Sequence, residues 1–459
     1  MEYGIVSIII PLLTILLAII TKDVMISLIS GIFIGMLVLH HYNPLESGVA
    51  FFEEIIALFA EDWITKTLVF ALMVGSIIKL LTNSGAIDGF IAYLGEKAKT
   101  VDSPRGAMLL AYVIGIIIFI ESSITALVAG MTAKSLCDKN GISREKLAYI
   151  CDSTSAPVCS LIPLNAWGAL LLGLIAAAIN ARVISGDAIA LLIASIPYNF
   201  YSIFTLIIVL AVIFLNINIG PMRYSVPQPY VPHISTNQTH TSVYKMLLPV
   251  LFMVLMVPLM LYLTGKGDIL KGSGSTSVYY AVALTLIFMY LYYIPTKTLT
   301  HKSYMALLYR GMGEMIPVTI ILLFALLIGR IIEDLGTAHY LAHLLQGNIS
   351  PVIVPLLIFI VSSITSFSTG TSWGTFSIMM PIALALSATL HLDIPLVIGA
   401  VVSGGIFGDH ASPISDTTII SSMAAECDHI SHVRTQLPYA LIGGGLASIA
   451  FLIAGWLTA

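Results

Sequence analysis

The run Gly408-Asp409-His410-Ala411-Ser412-Pro413-Ile414-Ser415-Asp416-Thr417-Thr418 interrupts the apolar stretch 394–427 with two carboxylates, a proline and four hydroxyl side chains. Pro413 has no amide to donate and disfavours the helical conformation in the residue before it. A helix entering this run is therefore expected to break there. The break frees carbonyls at the end of one half-helix and amides at the start of the next. A second interruption, Asp152-Ser153-Thr154-Ser155-Ala156-Pro157, lies within the apolar stretch 144–182, and Pro157 is expected to break that helix in the same way.

Outward from these runs the chain is apolar almost throughout. Its 459 residues are 58% hydrophobic and 10% charged. A soluble protein is nearer 45–50% apolar and roughly 25% charged. A water-soluble enzyme is excluded on this ground. The net charge of −4 and the lack of a basic stripe exclude a nucleic-acid partner. The four cysteines show no CxxC or zinc-type spacing, and no cleavable signal is expected at residues 1–3. A spanning helix needs about 20 apolar residues. Spans are read near 4–20, 24–40, 64–82, 188–215, 243–264, 275–294, 315–333 and 436–457. Two further interrupted stretches are read at 105–137 and 350–390. They turn at Glu121-Ser122-Ser123 and across Ser366–Gly374.

The Pro-rich segment 221–242 reads as a linker between two homologous halves, 1–220 and 243–459. Three matches support this: Ala71-Leu72-x-x-Gly75 with Ala325-Leu326-x-x-Gly329, Ala156-Pro157 with Ser412-Pro413, and Pro197-Tyr198 with Pro438-Tyr439. The stretch 105–137 is flanked on both sides by Lys and Arg, so by the positive-inside rule both its ends lie in the cytoplasm and it is a re-entrant hairpin. Each half then crosses five times, and the second half is inserted upside down. This topology places 14 of the 20 Lys and Arg on the cytoplasmic side and only Lys66, Arg182, Lys266 and Lys271 outside, while Lys79 and Arg330 snorkel near span ends. The loop 41–63 is then external and holds an amphipathic surface helix over 46–62. The fold class is an all-α polytopic membrane protein of two inverted five-span repeats, each with a re-entrant hairpin and a broken helix.

Of the 24 acidic residues, only Glu121, Asp152, Asp409 and Asp416 fall deep inside apolar segments. An ionisable group at bilayer depth costs roughly 2.5–3.5 kcal/mol and is usually paired, solvated or functional. All four sit in interrupted segments. Irregular backbone at that depth persists only where it is buried or faces water, and broken helices of this kind form the ion sites of secondary transporters. Carboxylates, hydroxyls and carbonyls are hard donors suited to a small hard cation. Two neighbouring carboxylates hold a proton or a cation in turn. The candidate Na+ ligands are Asp409, Asp416 and Asp152. Glu121, Ser412, Ser415, Thr417, Ser153 and Ser155 complete the lining, and Thr371 and Ser372 close it from the second hairpin. His410 is either a pH sensor or a neutral residue that orients the loop. The hydroxyls, and Asp416 as a helix cap, have structural readings too. For Trp167 and Trp373, packing is favoured over stacking on a substrate.

The strings GDHASPISDTTIISS (408–422) and CDHISHVRTQLPYA (427–440) closely resemble the signature of the NhaC family of sodium/proton antiporters. The runs TGTSWGTF (369–376) and ISREKLAYICDSTSAPVC (142–159) look like that family too, so the resemblance covers nearly the whole chain. It implies the ion-transporter fold of inverted five-span repeats with re-entrant hairpins, in a prokaryotic inner membrane. Relatives with the same first-half run often carry an acidic pair and an aromatic at the first hairpin turn, where this chain has Glu121-Ser122-Ser123. Members exchange sodium for protons, exchange organic acids, or carry amino acids with sodium. The expected activity is therefore exchange of Na+ for H+ by alternating access. The alternative is Na+- or H+-coupled transport of a small organic solute, an amino acid or carboxylate. No cofactor is expected beyond the transported ions. A homodimer is compatible with the sequence, which does not fix the oligomeric state. An intramembrane aspartyl protease is excluded because the GxGD motif needs glycine at Ile406.

Overall fold

The computed structural model describes residues 3–21, 23–86, 103–119, 122–228, 242–267, 273–337 and 350–458, with the single positions 89 and 340. Glu121 and most of the linker, residues 229–241, lie outside the described residues. The described chain is all α apart from short 3-10 turns. Its helices are α1 (Val6–Thr21), α2 (Val24–Leu39), α3 (Pro44–Ala60), α4 (Asp62–Asn83), α5 (Pro104–Ile117), α6 (Ser122–Lys139), α7 (Arg144–Leu161), α8 (Ala166–Asn180), α9 (Ala188–Ser195) and α10 (Phe200–Leu215). They continue with α11 (Tyr244–Thr264), α12 (Gly274–Tyr293), α13 (His301–Asp334), α14 (Val354–Thr369), α15 (Ser372–Leu390), α16 (Ile394–Ala411), α17 (Asp416–Ala425) and α18 (His429–Thr458).

Ten helical segments among the described residues are long and apolar enough to cross a membrane. Rows of leucine and isoleucine stay on the outside, such as Leu247, Leu251, Leu255 and Leu259 on α11. A water-soluble protein does not expose apolar surface on this scale. The protein is an all-α, multi-pass membrane protein.

The sequence divides into these helices at identifiable caps. The Ser143 hydroxyl accepts from the Lys146 amide at 3.4 Å to open α7, and the Asp393 carboxylate accepts from the Leu396 amide at 2.8 Å to open α16. Each such cap satisfies one of the amides a helix start leaves unpaired. Both helices are 18 residues long. Each ends one residue before an extended residue that precedes proline, Ile162 before Pro163 and Ser412 before Pro413. In both, a second helix resumes three residues after that proline, at Ala166 and Asp416.

Two expectations are corrected here. The first break falls at 162–165, around Pro163, and α7 runs straight through Pro157. Hydroxyls on either side turn back to their own helix, Ser155 Oγ donating to the Asp152 carbonyl at 2.9 Å and Ser160 Oγ to the Pro157 carbonyl at 2.8 Å. The proline matching Pro413 is therefore Pro163, not Pro157. The expected span 188–215 is divided by a 3-10 turn over Ile196–Tyr198, whereas α18 passes through Pro438 unbroken. The difference lies in Asn199, which follows the first proline and is claimed by tertiary contacts: its amide donates to Ser160 Oγ at 2.8 Å and its carbonyl oxygen accepts from Ser403 Oγ at 3.1 Å. Near span ends, Lys79 pairs with Glu314 at 2.5 Å, and Arg330 with Glu54 at 3.3 Å and with Glu61.

The surface helix read over 46–62 is α3. Leu45, Val49, Phe52, Ile56 and Phe59 form an exposed apolar row along it, and its acids Glu54 and Glu61 reach Arg330 on α13.

Candidate functional site

The hairpin turn between α14 and α15 and the break between α16 and α17 meet each other. Gly370 adopts a left-handed conformation at φ 67, and a Cβ there would stand 2.8 Å from the Ile414 carbonyl oxygen, so both its backbone angle and its neighbour require glycine. The Ser412 hydroxyl donates to the Phe367 carbonyl at 2.8 Å, fastening the break to the hairpin. Ser372, first residue of α15, donates to Asp409 Oδ2 at 2.8 Å. Asp409 is 2% exposed, and its Oδ1 has no hydrogen-bonding partner among the described residues. Ser415 and Thr417, both buried, share a hydroxyl contact of 3.0 Å at the start of α17.

Asp152 is fully buried on α7. Its Oδ2 accepts from Gln436 Nε2 at 2.6 Å and lies 3.4 Å from His432 Nε2, both on α18. Its Oδ1 is buried and unpartnered. The His410 ring joins three helices, with Ser153 Oγ 3.1 Å from its Nε2 and Tyr201 Oη of α10 2.6 Å from its Nδ1. Both hydroxyls can donate or accept, so a neutral imidazole is satisfied in either tautomer. This favours the orienting reading of His410.

The expected residues thus divide. Asp409, Ser372, Ser412, Ser415, Thr417, Asp152, Ser153 and His410 form one buried polar region. Ser155 is turned to its own helix carbonyl, which is the structural role of a mid-helix hydroxyl. Thr371 is half-buried beside Ser372, and its carbonyl accepts from Thr375 Oγ1 at 3.0 Å. Asp416 is exposed as the first residue of α17, its Oδ1 accepting from the Thr417 amide at 2.8 Å. A carboxylate is favoured there by the helix dipole. Asp416 is therefore not buried with Asp409, although it remains near enough to act electrostatically on it. Glu121 lies outside the described residues.

Sequence reading missed His432, Gln436 and Tyr201. His432 and Gln436 stand four apart, hence on one face of α18, and this spacing was visible in residues 427–440. A span begun only at 436 concealed it.

A cavity of about 610 Å³ lies between α4, α8, α13 and α15, with Glu61, Asn180, Arg182, Arg330 and Thr389 among its lining residues. On α15 it is lined by Pro381 and Ala385; nearer Asp409 on the same helix, Trp373 and Phe376 pack at 5.7 and 5.9 Å against the buried Trp167 of α8. These rings serve as packing between the cavity and Asp409. At the far end of α7, Lys134 of α6 and Arg144 of α7 both grip Glu426, at 2.5 and 3.1 Å, and Arg144 also pairs with Asp138 at 3.1 Å. The Lys134 ammonium, and then Arg144, hold the Glu426 carboxyl below the usual carboxylate range.

The chain is 34% identical over 98% of its length, and 91% of the relative's, to an uncharacterized protein of Haemophilus influenzae. Shorter stretches resemble the malate-2H(+)/Na(+)-lactate antiporter of Bacillus subtilis (35% identity over 16% of each chain) and the arginine/ornithine antiporter ArcD of Halobacterium salinarum (36% over 14% of each). Its fold is similar to that of the YdaH transporter of Alcanivorax borkumensis, with a TM-score of 0.57 and 14% identity, covering 90% of this chain and 89% of that one. It is also similar to MtrF of Neisseria gonorrhoeae, with a TM-score of 0.60 and 13% identity over 89% of this chain and 84% of that one. These neighbours are membrane transporters rather than enzymes. The model of the Na+/H+ antiporter family matches residues 158–456, more than half of the chain, and the protein belongs to that family.

Proposed function

We propose that this protein is a secondary active transporter that exchanges Na+ for H+ by alternating access in the inner membrane. One observation carries the reading: two buried carboxylates, Asp152 and Asp409, come from the two broken helices, and each keeps one oxygen without a partner. Such oxygens are costly unless something fills them. A proton or a small cation does so. Asp409 is the principal Na+ ligand, because the hydroxyls of Ser372, Ser415 and Thr417 lie in the same buried region, and oxygen donors suit a hard cation. Asp152 is the secondary carboxylate, with imidazole and amide neighbours. Asp416 attracts the cation at the rim rather than binding it. Glu121 belongs to the same lining by sequence.

The repeats 1–220 and 243–459 are taken as inverted about this site, with 221–242 joining them. Movement of the hairpins and broken helices against the remaining spans exposes the site to each side in turn. The 610 Å³ cavity is the approach from the side of α3 and the 41–63 loop, read as external. The Lys134–Glu426–Arg144 cluster closes the other face.

The cavity also favours a second reading, coupled transport of a small organic solute. Its volume exceeds what a bare ion needs, and Arg182 in its lining is a cation suited to a carboxylate. The organic anions and amino acids named for the Bacillus and Halobacterium relatives support it. Reconstituted vesicles separate the two: Na+ alone collapses an imposed pH gradient if the exchange reading holds, whereas the second reading requires an added carboxylate or amino acid.

A further inference from the structure

We propose that Gln436 is the positioning residue that couples the two carboxylates, holding Asp152 and the end of the helix that carries Asp409 in one fixed geometry. This rests on the exchange reading. Gln436 is 1% exposed, and its single nitrogen donates both to Asp152 Oδ2, at 2.6 Å, and to the backbone carbonyl of His410, at 2.7 Å.

Both partners are acceptors, and the carbonyl cannot become anything else. The amide is therefore locked with its NH2 toward them and its oxygen away. That carbonyl belongs to the last turn of α16, where helix carbonyls have no intrahelical donor. It is also the carbonyl of the residue next to Asp409. One planar group from α18 thus ties the first-half carboxylate to the end of the second-half helix that carries the other.

The surrounding atoms point to a function for this tie. Asp152 Oδ1, Gln436 Oε1 and His432 Nδ1 are all buried without partners along the same α7–α18 contact. Unfilled polar capacity in one interface marks a place where something binds and leaves. Without the Gln436 amide, Asp152 Oδ2 and the His410 carbonyl lose their shared donor together, and the end of α16 is no longer held in its place relative to Ser372. Titratable groups facing this contact are His432 and Tyr439 on α18, His410 and Asp409 on α16, Tyr201 on α10, and Tyr149 and Cys151 on α7.

The test measures Na+ and H+ movement together in the same vesicles, with labelled Na+ and a pH dye, for the wild type, Gln436→Leu and Gln436→Glu. Leu removes both donors; Glu keeps the shape but offers at most one. Loss of one charge-assisted bond corresponds to about a tenfold rise in the Na+ concentration for half-maximal exchange. The number of protons moved per Na+ is expected to fall as well, a ratio that a merely structural role would leave intact. Wild-type ratio and Na+ dependence in either variant overturns the proposal. If the wild type itself moves no protons on Na+ addition, the exchange reading falls, and this proposal with it.

Discussion

The two broken helices use the same backbone device and fill it differently. In each, a side-chain-capped helix of 18 residues stops ahead of a proline and a second helix resumes three residues later. At the first break one side chain takes up the loose ends. Asn165 Oδ1 accepts from the Gly168 amide at 3.0 Å, and its Nδ2 lies 2.8–2.9 Å from the carbonyls of Cys159, Ile162 and Phe119. At the second break no residue of the loop itself does this; the Gln436 amide of α18 holds the His410 carbonyl at 2.7 Å, and His429 Nε2 lies 2.7 Å from the Pro413 carbonyl. Ser415, in the position of Asn165, makes no cap bond, and Asp409 stands where the first helix has Cys159. The first break is closed from within by asparagine; the second is held from outside by α18 and keeps hydroxyls and a carboxylate as its own side chains.

That contrast predicts unequal responses to substitution. Asp409→Asn is expected to abolish Na+-dependent proton movement in vesicles, by about 100-fold or more, with membrane insertion intact. A drop of this size corresponds to roughly 2.7 kcal/mol. Asn165→Ala is expected to act on the fold. It removes a cap and its carbonyl contacts, about 1 kcal/mol each, so detergent-solubilised protein should melt earlier while the surviving fraction keeps its Na+ titration. A changed Na+ dependence there would remove the contrast between the breaks.

Asp152→Asn should shift half-maximal Na+ by about tenfold, the worth of one charge-assisted bond. Asp416→Asn should stay within about threefold of wild type, because asparagine still accepts at a helix start. Glu426→Gln should have the smallest effect at neutral pH, as exposed ion pairs contribute little. Its sign is defined by pH. The folded pKa is depressed, so the contribution is present above the unfolded carboxylate value, roughly 4.3, and is lost as pH falls through the folded value. Melting curves at neutral and acid pH should therefore converge for wild type and variant on the acid side.

The sequence made the membrane-spanning helices legible because length and apolarity suffice to define them. The second break was legible because Asp409, Ser412 and Pro413 coincide in one short run. The first was misplaced because α7 accommodates Pro157 without a break, while Pro163 lies in a run with no charge to mark it. Asp416 and Asp409 looked alike in the sequence, yet seven residues and a helix break separate an exposed carboxylate from a buried one. His432 and Gln436 were readable only as an i, i+4 pair, since neither charge nor hydropathy distinguishes a buried imidazole from a loop histidine.

Equilibrium binding of labelled Na+ to the purified protein at fixed pH, with proton release recorded in the same cell, reaches the central claim most directly. Wild type should bind Na+ and release protons with no organic solute present, Asp152→Asn should bind more weakly, and Asp409→Asn should bind none. Wild-type affinity in Asp409→Asn would contradict the account.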